Sequence, residues 1–219
     1  MSTPAGDDRV AVEQVALVTP RHARVALLGD AERATEAWLV LHGYGMTARG
    51  ILHWFRDALR PGRLLVAPEG LSRFYREARG LRTVGASWMT REDRDHEIVD
   101  QHAYLDAVAA RWLDGRDRIE VHGFSQGVAT GCRWVTTRHP VDRLVAWGSP
   151  TPPDLEPSRY LGRTAEPLVQ VIGSEDRYFP PATVEADAAR LAEGGVAVEV
   201  RRFEGGHGVD RGILAALAG

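Results

Sequence analysis

Hydrophobic residues occur along this chain as short continuous runs, separated by segments of helical period. Such runs are typical of strands that are covered on both faces. They predict strands at residues 37–41, 64–67, 118–122, 142–147, 167–172 and 196–203. Between them, apolar positions at helical spacing and flanking Gly or Pro residues predict helices at residues 49–59, 92–113, 128–138, 181–193 and 209–218.

Alternating strands and helices of this kind predict an α/β fold. Right-handed crossovers then place helices on both faces of a mainly parallel sheet, here of about eight strands. We find no internal repeat or change of composition, so we expect one domain over residues 1–219, with residues 1–8 disordered and no large lid domain.

Three segments fall outside the alternation. Valine-rich runs at residues 10–18 and 23–28 flank Thr19-Pro20 and predict an antiparallel hairpin. Residues 68–91 are polar and predict a long loop, which by its length is expected to be functional. Residues 150–157 hold four prolines and predict irregular structure.

Composition narrows the possible functions. The formal net charge is −3 and the pI is about 6.2, so we expect no nucleic acid partner. The single cysteine, Cys132, excludes an internal disulfide and fits a reducing compartment, and we expect it to be a small buried residue. Because we identify neither a signal peptide nor an apolar run long enough to cross a membrane, we expect a cytoplasmic protein without stable membrane association.

The candidate chemistry centres on Ser125, in the pattern Gly123-Phe124-Ser125-Gln126-Gly127 between a predicted strand and a predicted helix. That context is the one required of a nucleophile elbow, which presents a serine at a sharp strand-to-helix turn. The alternative is a tight turn in which the glycines are only structural. The rest of the chain decides between them.

A serine nucleophile needs a histidine base, and the base needs a carboxylate to orient it. His207 follows the last predicted strand in a glycine-rich turn, and Asp176 follows the strand before it. Ser, Asp and His in that chain order are expected of an α/β-hydrolase triad. Glu175 is the main rival for the acid, and Asp154 is a more distant one.

Acyl transfer also needs N–H groups that stabilise the oxyanion. The N–H of Gln126 follows the nucleophile, and the glycine-rich loop after the strand at 37–41 offers the N–H of Tyr44. No cluster of His, Asp or Glu has the spacing of metal ligands, so we expect neither metal nor cofactor. These features together predict a serine hydrolase.

The same residues resemble the phospholipase/carboxylesterase family of α/β-hydrolases, which includes acyl-protein thioesterases and small bacterial esterases. Gly-Phe-Ser-Gln-Gly is the most specific of the shared segments, which cover the chain from about residue 22 onward. These are Leu41-His42-Gly43-Tyr44-Gly45, Ala67-Pro68-Glu69-Gly70, Ala86-Ser87-Trp88, Gly123-Phe124-Ser125-Gln126-Gly127, Gly173-Ser174-Glu175-Asp176 and Phe203-Glu204-Gly205-Gly206-His207.

The resemblance implies the α/β-hydrolase fold, a triad of Ser125, Asp176 and His207, and oxyanion donors at Tyr44 and Gln126. It also implies that Trp88 lies near the nucleophile as part of the acyl pocket. The chain departs from the thioesterases in Met89-Thr90, where they usually have Phe-Asp, and in Val128, where a third glycine is common. These departures weaken the expectation of a long, protein-bound acyl substrate.

Further aromatic residues in or beside the loops are candidates for a substrate pocket: Phe74, Tyr75, Trp147 and Phe179. For Trp147 and Phe179 the alternative is an ordinary core position. Four arginines of the polar stretch, Arg73, Arg76, Arg79 and Arg82, either attract an anionic substrate or form a solvated charged loop.

We therefore expect a serine carboxylesterase that hydrolyses short- to medium-chain esters through an acyl-enzyme, as a monomer or homodimer. The alternatives are a thioesterase or lysophospholipase on longer chains and, more distantly, a non-catalytic binding protein with the same fold. The expected partner is a small-molecule ester.

Overall fold

A computed structural model describes residues 13–78 and 80–219, so the predicted disorder of residues 1–8, the start of the first predicted strand and Arg79 lie outside the described residues. The described part forms nine strands and five helices. In chain order these are β1 (Val25–Leu28), β2 (Glu36–Leu41), α1 (Ala48–Phe55), β3 (Arg63–Pro68), β4 (Ser72–Ala78), β5 (Leu81–Ser87), α2 (Arg94–Trp112), β6 (Arg118–Phe124), α3 (Gln126–Thr137), β7 (Arg143–Trp147), β8 (Leu168–Gly173), α4 (Pro181–Glu193), β9 (Val198–Phe203) and α5 (Arg211–Ala218).

Seven strands form the main sheet, in the order β1-β3-β2-β6-β7-β8-β9. β1 pairs antiparallel with β3, and the other neighbouring strands are parallel. The register pairs Leu41 with Gly123 and Phe124 with Trp147. The carboxyl ends of β2, β6 and β7 therefore meet at one edge, where ligands bind in open α/β sheets.

The hydrophobic core lies on both faces of this sheet. Alternate residues of β2 point to opposite sides: Leu39 packs on the face covered by α2, α3 and α4, and Trp38 on the face covered by α1 and α5. All six residues of β2, β3 and β8 are buried, which explains why these strands read as continuous apolar runs. The predicted α/β fold is confirmed, and no large additional domain occurs in the described residues.

The predicted N-terminal hairpin is wrong. Residues 13–24 contain no strand, and Val15, Leu17 and Val18 are exposed. β1 pairs instead with β3, which offers a complete ladder beside buried neighbours. The main sheet consequently has seven strands rather than about eight.

The long loop predicted at residues 68–91 is also wrong, because most of it is a hairpin. β4 and β5 pair antiparallel from Ser72 opposite Ser87 to Ala78 opposite Leu81, forming a separate two-stranded sheet. Gly80 lies in the connecting turn with φ 73°, a conformation that favours glycine. By contrast, the proline-rich segment at 150–157 is irregular as predicted and ends in a 3-10 turn at Pro157–Tyr160.

Candidate active site

Ser125 lies at the junction of β6 and α3 in a strained conformation, with φ 53° and ψ −116°. Residues other than glycine rarely adopt positive φ, and such strain is concentrated at functional sites. The two flanking glycines are sterically required, since a Cβ on Gly123 would lie 2.6 Å from Cα of Val128 and one on Gly127 would lie 2.3 Å from the carbonyl oxygen of Leu41. The N–H of Ser125 donates to the carbonyl of Trp147 (2.8 Å), which ties the turn to β7.

His207 and Asp176 are paired beside this turn. Nδ1 of His207 donates to Oδ2 of Asp176 at 2.7 Å, and Oδ1 accepts the N–H groups of Tyr178 (2.9 Å) and Phe179 (3.0 Å). Asp176 is buried and follows β8, and His207 follows β9. A ring that donates from Nδ1 to this carboxylate leaves Nε2 as the position that can accept a proton.

The ring of His207 lies over the elbow. Its centroid is 4.8 Å from that of Phe124, the residue before Ser125. A Cβ on Gly148 would lie 3.1 Å from Nδ1 and Cε1 of the ring, and Gly148 has φ 65°, so a side chain here would be strained and would crowd the imidazole. Within the described part of the chain, the hydroxyl of Ser125 makes no hydrogen bond to His207. The structure thus brings His207 and Asp176 together beside the turn that holds Ser125, without a hydrogen bond between the serine hydroxyl and the imidazole.

The rival acids lie elsewhere. Glu175 is exposed, and its backbone N–H donates to the carbonyl of Gly205. Asp154 accepts from Arg94 (2.6 Å) and Arg133 (2.8 Å). Of the three candidate acids, only Asp176 contacts His207.

The loop after β2 approaches the elbow from the other side. A Cβ on Gly43 would lie 3.2 Å from Cβ of Ser125, so the backbone passes close to the nucleophile. The loop is anchored by buried His42, whose Nδ1 donates to the carbonyl of Gly43 (2.8 Å) and whose Nε2 accepts from the N–H of Gly70 (2.9 Å). Burial lowers the pKa of His42, which keeps the ring neutral and able to make both bonds.

The N–H groups of Tyr44 and Gln126 have no hydrogen-bond acceptor among the described residues. Tyr44 follows Gly43 in the loop, and Gln126 follows Ser125 at the start of α3. Both amides therefore lie in segments next to Ser125 without a protein acceptor, and their role as oxyanion donors stays a prediction. The first turn of a helix also favours negative charge.

The side chain of Gln126 has a structural role that the sequence did not reveal. Its Oε1 accepts from the N–H of Trp88 (3.0 Å) and its Nε2 donates to the carbonyl of Met89 (2.8 Å). Trp88 in turn donates Nε1–H to the carbonyl of His42 (2.8 Å). The elbow, the segment after β5 and the loop after β2 are thereby linked by hydrogen bonds.

Two of the predicted pocket residues, Trp147 and Trp88, are buried. Trp147 is fully buried in the core, where it packs on Phe55 and donates Nε1–H to Nδ1 of His122 (3.2 Å). Trp88 is 2% exposed and supports the loop after β2 from inside the protein. Phe179 is half-buried, and its ring centroid lies 6.3 Å from that of His207. Which of these aromatic residues line a substrate pocket stays a prediction.

A buried ionic network below the elbow was not predicted. His122 donates Nε2–H to Glu120 (3.2 Å) and stacks on Trp38 with 4.1 Å between ring centroids. Burial raises the pKa of Glu120, but hydrogen bonds from His122 and Arg118, together with the charge of Arg143, outweigh burial and lower it to about 2. Glu120 therefore remains ionised inside the protein.

Three wider observations complete the description. A shallow open depression of about 430 Å³ includes His207 and is lined by residues 203–204 and 206–211 but not by Ser125. In residues 13–78 and 80–219, no group of three or more His, Cys, Asp or Glu side chains is arranged to hold a metal ion. No helix in the described chain combines the length and apolarity needed to cross a membrane.

Comparison with known proteins gives matches at the level of structure only. No family model matches the sequence, and no curated protein matches it. Solved structures with the same fold include esterase PE8 (20% identity, 90% of this chain and 96% of that chain covered, TM-score 0.68). They also include acyl-protein thioesterase 2 of Zea mays (15%, 90% and 96%, TM-score 0.70) and a phospholipase/carboxylesterase of Dyadobacter fermentans (19%, 92% and 97%, TM-score 0.66).

The chain therefore has the α/β-hydrolase fold over nearly its whole length. These structural neighbours are consistent with the phospholipase/carboxylesterase family that the sequence motifs resemble. Because the sequence identities to these structures are only 15–20%, the likeness establishes the fold alone, and the function depends on the residues of the site.

Proposed function

We propose that this protein is a serine hydrolase that cleaves short- to medium-chain carboxylic esters through an acyl-enzyme intermediate. The observation that carries the proposal is the His207–Asp176 hydrogen bond of 2.7 Å, made by an imidazole that packs against the elbow holding Ser125. A strained serine, a neutral oriented imidazole and two unoccupied N–H groups are the parts that acyl transfer requires.

In the proposed mechanism, the Ser125 hydroxyl attacks the ester carbonyl while Nε2 of His207 accepts its proton. The serine–imidazole hydrogen bond forms as substrate binds, since such bonds are often long in the free enzyme. The negative charge that develops on the carbonyl oxygen is stabilised by the N–H groups of Tyr44 and Gln126. His207 then protonates the leaving alcohol.

Deacylation repeats these steps with water. His207 accepts a proton from the water molecule that attacks the acyl-enzyme, and the same two N–H groups stabilise the second tetrahedral intermediate. Asp176 stays ionised throughout and stabilises the imidazolium. The fold shared with an esterase and a phospholipase/carboxylesterase supports this assignment.

The test is hydrolysis of p-nitrophenyl acetate and p-nitrophenyl octanoate by the wild type, Ser125→Ala and Ser174→Ala. Ser174 is a matched control because it is an exposed serine that directly follows β8, two strands away from β6 in the sheet. We expect Ser125→Ala to lose on the order of 10⁴–10⁶-fold in kcat and Ser174→Ala to retain the wild-type rate. A wild type inactive on both esters would instead favour a non-catalytic binding protein.

A thioesterase is the second candidate, because one structural neighbour is an acyl-protein thioesterase. A series of oxygen esters and thioesters of increasing acyl length separates the two. We expect kcat/KM to be highest for short- and medium-chain oxygen esters. A maximum at long-chain thioesters would favour the alternative.

A further inference from the structure

The β4–β5 hairpin has two different faces. Directly paired residues of an antiparallel ladder point to the same side. The register therefore groups Phe74 and Arg76 on one face, with Gly85 opposite Phe74. The other face carries Tyr75, Glu77 and Arg82, and Arg82 is paired with Glu77.

The hairpin contacts the loop after β2 both through the edge of β5, where Ala86 bridges to Met46, and through its first face. The N–H of Gly45 donates to the carbonyl of Ala86 (2.8 Å), and the N–H of Ala86 donates to the carbonyl of Met46 (2.9 Å). Gly85 allows this approach, since a Cβ there would lie 2.6 Å from the carbonyl oxygen of Gly45. The hairpin is thus fixed to the loop that passes Ser125.

Side chains of the same face extend the contact. Phe74 stacks on Tyr44 with ring centroids 5.2 Å apart. Nη1 of Arg76 lies 3.2 Å from the place that a Cβ on Gly45 would occupy. Gly43, two residues before Gly45 and therefore at most about 7 Å from it, approaches Ser125 closely, so this guanidinium lies within roughly 15 Å of the nucleophile.

The charge of Arg76 is not compensated. Arg76 is exposed, and within the described residues no carboxylate lies within 4.0 Å of its guanidinium. Its neighbour Arg73 differs, because it lies 3.9 Å from Glu69. The exposed acids Glu175 and Glu204 follow β8 and β9, on the His207 side of the site.

We propose that Arg76 is a specificity residue that binds a carboxylate on the substrate, so that the preferred substrates are esters carrying a carboxylate several bonds from the scissile carbonyl. A guanidinium binds carboxylate through paired N–H donors. The inference rests on the proposed ester hydrolysis. Arg82 supplies an internal comparison, because it stands on the opposite face and lies over the ring of Tyr75 at 4.1 Å.

The experiment measures kcat/KM for two pairs of esters in the wild type, Arg76→Gln and Arg82→Gln. One pair has the carboxylate on the acyl side: mono-p-nitrophenyl suberate and its neutral terminal amide. The other pair has it on the alcohol side: 4-acetoxybenzoate and 4-acetoxybenzamide. For each pair, the readout is kcat/KM of the charged ester divided by kcat/KM of the neutral ester. A substitution that affects both esters equally leaves this ratio unchanged.

We expect the wild type to prefer the charged member of at least one pair and Arg76→Gln to reduce that preference by about three- to five-fold, the size of a partly exposed ion pair. Raising the ionic strength to about 0.5 M should reduce it in the wild type as well. Arg82→Gln should leave the ratio unchanged.

Two results overturn the inference. If both pairs are hydrolysed but Arg76→Gln leaves the ratios as in the wild type, or Arg82→Gln lowers them equally, the inference fails and the proposed function stands. If neither member of either pair is hydrolysed above the rate of Ser125→Ala, the proposed function fails and the inference fails with it.

Discussion

Nδ1–H of His207 donates a 2.7 Å hydrogen bond to Oδ2 of Asp176, and the other oxygen of that carboxylate is held by the N–H groups of Tyr178 and Phe179. The carboxylate is therefore fixed before it orients the imidazole. Gly148 and Phe124 bound the ring from the sides of β7 and β6. The position of the proposed base is set by three separate segments of the chain.

Asp176→Asn should lower kcat by about 10²–10⁴-fold, because an amide neither fixes the imidazole tautomer nor stabilises the imidazolium. Steady-state kinetics with p-nitrophenyl acetate measure the effect. Glu175→Gln is the matched control, since the adjacent acid is exposed and does not contact His207, and it should retain activity. A larger loss in Glu175→Gln than in Asp176→Asn would reverse the assignment of the acid.

Ester hydrolysis should decrease as the pH falls from 8 to 5, because only a neutral imidazole accepts the serine proton. A pH profile of kcat/KM measures this effect, with circular dichroism at each pH to verify that the protein stays folded. A rate that stays constant over this range would contradict the role of His207 as the base.

Trp88→Phe should lower kcat and leave KM nearly unchanged. The substitution removes the N–H donor to the carbonyl of His42 (2.8 Å) while keeping an aromatic ring in the core, and it should reduce the free energy of unfolding by about 1–3 kcal/mol. Urea denaturation and kinetics over an acyl-length series measure both effects. A change in KM that grows with acyl length would instead place Trp88 in the acyl pocket.

Glu120→Gln should make the protein less sensitive to acid. The folded-state pKa of Glu120 is about 2, below its ordinary value of 4.5, so its ionised form stabilises the fold above pH 4.5 and this contribution is lost as the pH falls towards 2. The variant should lose about 1–3 kcal/mol at pH 7 and show a smaller further loss between pH 5 and pH 3. Equal acid dependence in the two proteins, measured by urea denaturation, would contradict the prediction.

Much of the fold could be predicted from sequence because buried strands have a simple signature. β2, β3 and β8 are covered on both faces, and their apolar runs mark them within one or two residues. The order of Ser125, Asp176 and His207 at strand ends also placed these residues at one edge of the sheet, where the structure brings them together.

Exposed strands were harder to predict. β4 and β5 belong to a two-stranded sheet outside the core, so polar residues on both faces hide the alternation. The valine-rich run before residue 19 has the composition of a strand, yet the described part of it has no partner. Composition indicates a preference for extended structure, whereas pairing depends on which edge of the sheet is free.

The burial of aromatic side chains and the side-chain hydrogen bonds around the site could not be predicted from sequence, because both depend on the direction of side chains in three dimensions. Trp147 and Trp88 lie near strand ends in sequence but point into the core. The side-chain bonds of Gln126 span 37 and 38 residues to Met89 and Trp88. No local pattern in the sequence encodes such contacts.

The most direct test of the central claim is intact-protein mass spectrometry after incubation with a fluorophosphonate, followed by peptide mapping. The probe forms a covalent bond only with an activated nucleophile. We predict one adduct, on Ser125, that is absent in Ser125→Ala and forms much more slowly in His207→Gln. An unmodified wild type, or an adduct on another residue, would contradict the account.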